Sequence, residues 1–236
     1  MKKLLSVVLA IVLVLSLAAC GAGNSPAGTN LTQDKLKGTW SMTLNISDLM
    51  DVAGDALAGT MGMEGMSAFF DSIPDSLTLT ALMVFDGEGN CSSMISKSDF
   101  NKFYQDVMNA ILTEETMYAI YAAQGMDKAT VDAALAAQGT SISAVINMTK
   151  LQMSSMNIAD TLVQSGGAVA KGDYLCMSQE SEYTIDGNTV VMDGTKLEYD
   201  GTNLVMKEVS SEDGDTPDLS GLLPLTIKRV SDKVDY

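Results

Sequence analysis

Three hydrophobic patterns follow one another along this chain. Behind Lys2 and Lys3, an uncharged, largely apolar run extends from Leu4 to Leu17. It is shorter than the roughly 20 residues a membrane-spanning helix needs and has the length of a signal-peptide core. From Leu36 to Ile46 the chain alternates: Trp40, Met42, Leu44 and Ile46 share one face, which predicts a half-buried first strand. Ser47 or Asp48 then caps a short helix carrying Leu49, Met50, Ala53 and Leu57 at helical spacing. A Gly/Met-rich stretch, Gly59 to Met66, comes next, and Ser67 to Ile73 predicts a helical turn before Pro74. Leu77–Phe85 and Cys91–Ser96 flank Asp86-Gly87-Glu88-Gly89-Asn90 and predict a hairpin.

The period then changes. With Ser98 as N-cap, Phe100, Phe103, Tyr104, Val107, Met108, Ile111 and Leu112 form a helical stripe. Thr113 caps a second helix carrying Met117, Ile120 and Tyr121, and Asp127 starts a third. Both end in Ala-Ala-Gln-Gly, with Gly125 and Gly139 suited to the left-handed position that closes a helix. Ser141 opens a fourth, with Ile142, Val145, Ile146, Met153 and Met156 facing inward. From Gly166 short β-prone runs return, separated by Asp-Gly pairs at Asp186, Asp193 and Asp200 that suit tight hairpin turns. Asn203–Val209 is a further strand, Ser210–Ser220 an acidic loop and Leu222–Val230 the last strand. The sum is an α+β chain: an antiparallel barrel of about eight or nine strands, with helices inserted after the first strand and, over about 98–158, after the third.

The apolar run ends in Leu17-Ala18-Ala19-Cys20, which resembles the lipobox of bacterial lipoproteins. The resemblance implies cleavage before Cys20, diacylglycerol on its sulfur and a membrane-held protein facing outside the cytoplasm. Two or three acyl chains hold stably, at about 0.8 kcal/mol per buried methylene. Residues 1–19 are then a signal peptide, 20–31 a lipidated cysteine and flexible tether, and 32–236 the domain.

Charge and composition narrow the chemistry. Loss of Lys2 and Lys3 leaves twelve of the fourteen basic residues against thirty acidic ones. That balance argues against nucleic acid as a partner. There is no histidine, so Ser-His-Asp and Cys-His catalysis and histidine-bearing metal sites are excluded. Cys91 and Cys176 both fall in strand-like segments, and a disulfide and two buried thiols are both open. Seventeen methionines are an unusual load. Met61, Met63 and Met66, like Met153 and Met156, have the spacing of thioether ligands for Cu(I), although gap-filling explains them first. The Asp86–Asn90 turn lacks the glycine and terminal glutamate of a calcium loop. No cofactor motif and no catalytic pair emerges, so a non-catalytic protein is expected.

Gly38-Thr39-Trp40, the Leu77–Ser96 hairpin and the closing Leu225-Thr226-Ile227-Lys228-Arg229-Val230 together resemble the lipocalin-like (calycin-type) lipoproteins of Gram-positive bacteria. The resemblance implies that Arg229 lies over Trp40 and closes one barrel end, a contact of about 0.5–2 kcal/mol. By the same analogy the expected ligand is a small apolar molecule or lipid. A protein partner on the Met-rich helices is the alternative, and Cu(I) binding the second.

Overall fold

The computed structural model describes residues 31–49, 51, 73–176, 180–192, 195–209 and 220–234. The signal segment, Cys20, the tether, Met61, Met63 and Met66 lie outside those residues. So do the Ser67–Ser72 turn, the Asp193-Gly194 pair and most of the acidic loop.

A short helix, α1 (Gln33–Leu36), is capped by Thr32 and leads into β1 (Gly38–Asn45). The hairpin partners are β2 (Thr78–Phe85) and β3 (Asn90–Ser96). Five helices follow: α2 (Lys97–Ile111), α3 (Glu114–Ala123), α4 (Lys128–Ala137), α5 (Ile142–Ser154) and α6 (Ile158–Gln164). The chain returns to strands as β4 (Val169–Lys171), β5 (Tyr174–Cys176), β6 (Ser181–Asp186) and β7 (Thr189–Met192). It ends with β8 (Thr195–Tyr199), β9 (Leu204–Val209) and β10 (Leu225–Ser231).

Among the described residues ten strands form one sheet, and eight of them close an antiparallel barrel in the order β1-β2-β3-β6-β7-β8-β9-β10. Each barrel strand lies beside the next in sequence except that β3 meets β6 across the inserted segment, and the first strand pairs with the last. Such an up-and-down closure removes the two open edges of the eight-stranded wall and is compatible with a lipocalin-like fold. The β4–β5 hairpin is an addition. It pairs with the far end of β3 (Met94–Ser96), whereas β6 takes Asn90 and Cys91.

The helical insertion after the third strand is present, with adjusted limits. Ser96, not Ser98, caps α2, because its Oγ accepts from the Asp99 N–H at 3.3 Å. The insertion also runs past residue 158. Asn157 caps the extra helix α6, and Asn101 ties α6 to α2 through Asn157 Oδ1 (3.0 Å) and the Ala159 N–H (2.9 Å). The predicted stripe holds: Phe100, Phe103, Tyr104, Met108 and Ile111 are buried in the same core as the barrel. The Asp-Gly turns differ in detail. At the β6–β7 turn, Asp186 pairs with Thr189, so the two turn residues are Gly187 and Asn188. At β8–β9 the loop is longer, and Asp200 Oδ1 accepts from the N–H groups of Thr202 and Asn203.

Closure at β1/β10 explains the glycine of Gly38-Thr39-Trp40. Gly38 has φ +132°, and a Cβ there would stand 2.4 Å from the Ser231 carbonyl oxygen. Only glycine lets the two backbones meet at this point. Arg229 pairs with Trp40 across the seam, with its guanidinium carbon 5.4 Å from the indole centroid. Its two terminal nitrogens donate to the carbonyls of Lys35 (2.7 Å) and Lys37 (2.6 Å), and the Trp40 indole N–H donates to that of Leu36 (2.8 Å). Three carbonyls at the end of α1 thereby accept side-chain hydrogen bonds. Gly38→Ala is expected to destabilise the fold by about 3 kcal/mol, from backbone strain plus the clash. Arg229→Ala should cost about 2 kcal/mol, from two charge-assisted hydrogen bonds in a partly exposed setting. Urea unfolding measures both.

Candidate functional site

The two ends of the barrel are built differently. At one end lie α1 and the short turns 86–89, 187–188 and 200–203. All three long connections, 46–77, 97–180 and 210–224, leave from the other end. Strand alternation and register then say which side chains face inward.

Towards the α1 end the interior is packed. Trp40, Phe85, Val190, Leu197, Leu204 and Ile227 are fully buried. The Tyr183 ring meets Phe85 edge-on at 5.1 Å between centroids, and Tyr199 meets Trp40 at 6.5 Å. The Tyr183 hydroxyl donates to Gln33 Oε1. Burial, and next the charge of Asp86, push this phenol up to about 12, so it stays neutral.

Towards the other end the walls differ. On β1–β3, Leu44, Leu79 and Ile95 are buried, together with Ile46, Leu49 and Phe100. On β7–β10, the inward-facing Met192, Thr195, Met206 and Leu225 are only partly buried, as is Leu222 of the Ser220–Leu222 turn. Their register makes them neighbours: Met192 opposite Thr195, Leu197 opposite Met206, Met206 opposite Leu225. This is an apolar mouth on the core, rimmed by two flexible thioether side chains. Sequence patterning did not single out these residues. The signal was that Met192 and Leu225 sit on inward positions at a strand end, and Met206 on an inward position near the end of β9.

The predicted site residues occupy several places. Trp40 and Arg229 come together at the sealed end. Arg229 Nε also lies 2.9 Å from Asp232 Oδ1, an ion pair without hydrogen-bond alignment. Cys91 and Cys176, left open as a disulfide, are separate buried thiols. Cys91 and Met94 are three residues apart on β3 and so face opposite sides of the sheet, and Cys176 pairs with Met94. The sheet itself therefore separates the sulfurs. Met153 is buried and Met156 partly buried against the core, which is a packing role.

Perturbed carboxylates serve turns and caps. Partial burial acts to raise the Asp86 pKa, but hydrogen bonds from the Asn90 side chain and from the N–H groups of Asn90, Glu88 and Gly89 outweigh it and hold it low. Thr130, at the start of α4, lowers Asp127, and the Asn203 and Thr202 N–H groups lower Asp200. None of the three is among the mouth residues. No group of three or more His, Cys, Asp or Glu side chains that could hold a metal occurs among the described residues. No known family, curated protein or solved structure matches this chain.

Both thiols should resist Ellman's reagent in the folded chain and titrate together on unfolding, without prior reduction. Absence of that signal in unreduced protein would mean a bridge. Because its folded pKa is depressed, Asp86 stabilises fully above the ordinary carboxylate range, and that contribution disappears as pH falls through the folded value. An Asp86→Asn variant should therefore show a shallower loss of stability below about pH 4 than the parent. Acid titrations of urea midpoints measure it.

Proposed function

We propose that this chain is a membrane-anchored, extracytoplasmic binding protein of lipocalin-like type, non-catalytic, whose barrel mouth takes a small apolar molecule. The observation that carries the reading is the partial exposure of Met192, Met206 and Leu225 on inward-facing positions, at the end where every long connection gathers. A sealed opposite end and a hydrophobic interior below are the setting in which barrel mouths bind ligands. Adaptable thioethers suit an apolar ligand of variable shape. Anchoring rests on the Leu17-Ala18-Ala19-Cys20 motif.

Native mass spectrometry of the mature chain, with Cys20→Ser in place of the lipidated residue, is expected to show an added mass of lipid size. Nile red should bind the same preparation. Met206→Asp should weaken that binding by about tenfold, because a bound apolar ligand would strip water from the new carboxylate. A bare polypeptide mass with no dye binding would overturn the reading. Separately, Cys20→Ala should move the protein from the membrane fraction to the soluble one.

A second reading is favoured by one surface. On α5, Met148 is 58% and Leu151 73% exposed, and no Asp or Glu occurs between residues 133 and 159. An apolar face without carboxylates, on so acidic a protein, suits a protein partner. Pull-downs from envelope extract with and without Met148→Ser and Leu151→Ser test it, and equal recovery counts against it.

A further inference from the structure

The outward side of α5 runs against the character of the chain. Its inward stripe is ordinary, with Ile142, Ile146 and Met153 buried. A solvated helix carries charged or polar residues opposite such a stripe. Here that side presents Ala144, Met148, Leu151 and Ser155, at i, i+4, i+7 and i+11, all exposed. On α4 Val131 is buried, while Ala133, Ala134, Ala136 and Ala137 are all exposed. No carboxylate occurs between residues 133 and 159, in a chain that has thirty. The one cation in that span, Lys150, lies off the stripe and donates to Asn109 O at 3.2 Å. Glu114 of α3 accepts from Ser143, which stands about 100° round the helix from Ala144, so it meets the flank and not the stripe.

Among the described residues no single helix is long and apolar enough to cross a membrane. The helices α4 and α5 pass only when taken together, and they meet at a bend of 72°. Val131, Ile142, Ile146 and Met153 are already buried. One side of each helix is left for an occupant, which suits lying on a bilayer and not crossing it.

The chain's own attachment names the occupant. Ten residues, 21–30, separate Cys20 from Leu31, and they reach at most about 40 Å. The eight residues of β1 span only about 26 Å. Leu31 is fixed at the sealed end, where its N–H lies 3.3 Å from Gly187 O and 3.2 Å from Asn188 Oδ1. The tether therefore outreaches the barrel wall, and surfaces at either end can meet the bilayer. Two large side chains and a row of alanines are a weak hold for a free chain. On a tethered chain a weak preference is enough to choose which face meets the lipid. With a formal net charge of −16 on the whole chain, an uncharged face is one that a phospholipid surface repels little.

Resting on the anchoring through Cys20 proposed above, we infer that the outward side of α4 and α5 is a membrane-resting face. Met148 and Leu151 enter the boundary between headgroups and acyl chains of the bilayer that holds the protein. A protein on the same stripe is the competing occupant, and the test separates the two.

The mature lipidated chain is reconstituted in phosphatidylcholine vesicles that contain phosphatidylcholine spin-labelled on an acyl chain. A nitrobenzoxadiazole dye is placed on Ala144→Cys of the stripe or on Thr226→Cys, an exposed position of β10. Cys91 and Cys176 are buried and stay unlabelled. The dye at 144 should be quenched at least fivefold more than the dye at 226. Adding Met148→Ser and Leu151→Ser should bring the two within twofold and leave flotation with the vesicles unchanged. Equal quenching at 144 and 226 in a chain that floats overturns the inference and leaves anchoring intact. Quenching at 144 that survives the two serines also overturns it, because the dye and not the stripe would then enter the lipid. If the dye at 144 escapes lipid quenching but is shielded from iodide once envelope protein is added, the face belongs to a protein and the inference falls. A chain that does not float removes the anchor, and this inference with it.

Discussion

The seam between β1 and β10 is the pairing on which the barrel depends. It joins residues about 190 positions apart (Trp40 with Arg229, Thr39 with Ser231) and converts an open sheet with two edges into a closed one. Three features hold it. Gly38 allows the backbones to approach, the Trp40 ring fills the space beneath, and the Arg229 guanidinium lies over the ring while donating to carbonyls at the end of α1. The helix that seals this end of the barrel is thus held by the same two residues that close its wall. Removing either one would take hydrogen-bond donors from carbonyls at the end of α1 as well as weaken the closure.

Closing one end with a helix and short turns has a consequence for the other. An up-and-down barrel alternates its connections between the two ends, and here every long one falls on the same side. The interior therefore grades from fully buried aromatics near Trp40 to partly exposed methionines at Met192 and Met206. The insertion contributes to that side through α2, whose Phe100 and Phe103 join the barrel core, and through α6, locked to α2 by Asn101. Polar ties also link the helices α3, α4 and α5, such as Tyr118 to Asp132 and Ser143 to Glu114, while Ile120 of α3 and Met153 of α5 reach the main core. Their buried Val131, Ile142 and Ile146 stand apart from the main core.

Much of this was legible in the order of residues. Alternation marked Trp40, Met42 and Leu44 as one face, the Asp86–Asn90 turn marked a hairpin, and serine, threonine and aspartate caps with paired Ala-Ala-Gln-Gly endings marked the helices. These signals are local: a period, a cap or a turn needs only a few neighbouring residues. The differences were also local. Ser96 and Ser98 both suit a cap, and only the aim of an N–H, that of Asp99, decides between them. A seven-residue helix such as α6 has too short a period to stand out against its surroundings.

Residue order alone thus determined the element types, the inward faces of the strands, the absence of histidine chemistry and the acidity of the connections. Tertiary structure decided what no period encodes. Register placed Cys91 and Cys176 on opposite faces of the sheet, and closure brought Arg229 to Trp40. The alternation of connections between ends gathered Met192, Thr195, Met206 and Leu225 into one mouth. Each of these depends on pairings between distant strands. Such pairings are fixed by packing and backbone hydrogen bonding over the whole barrel, so no short stretch of the chain carries them.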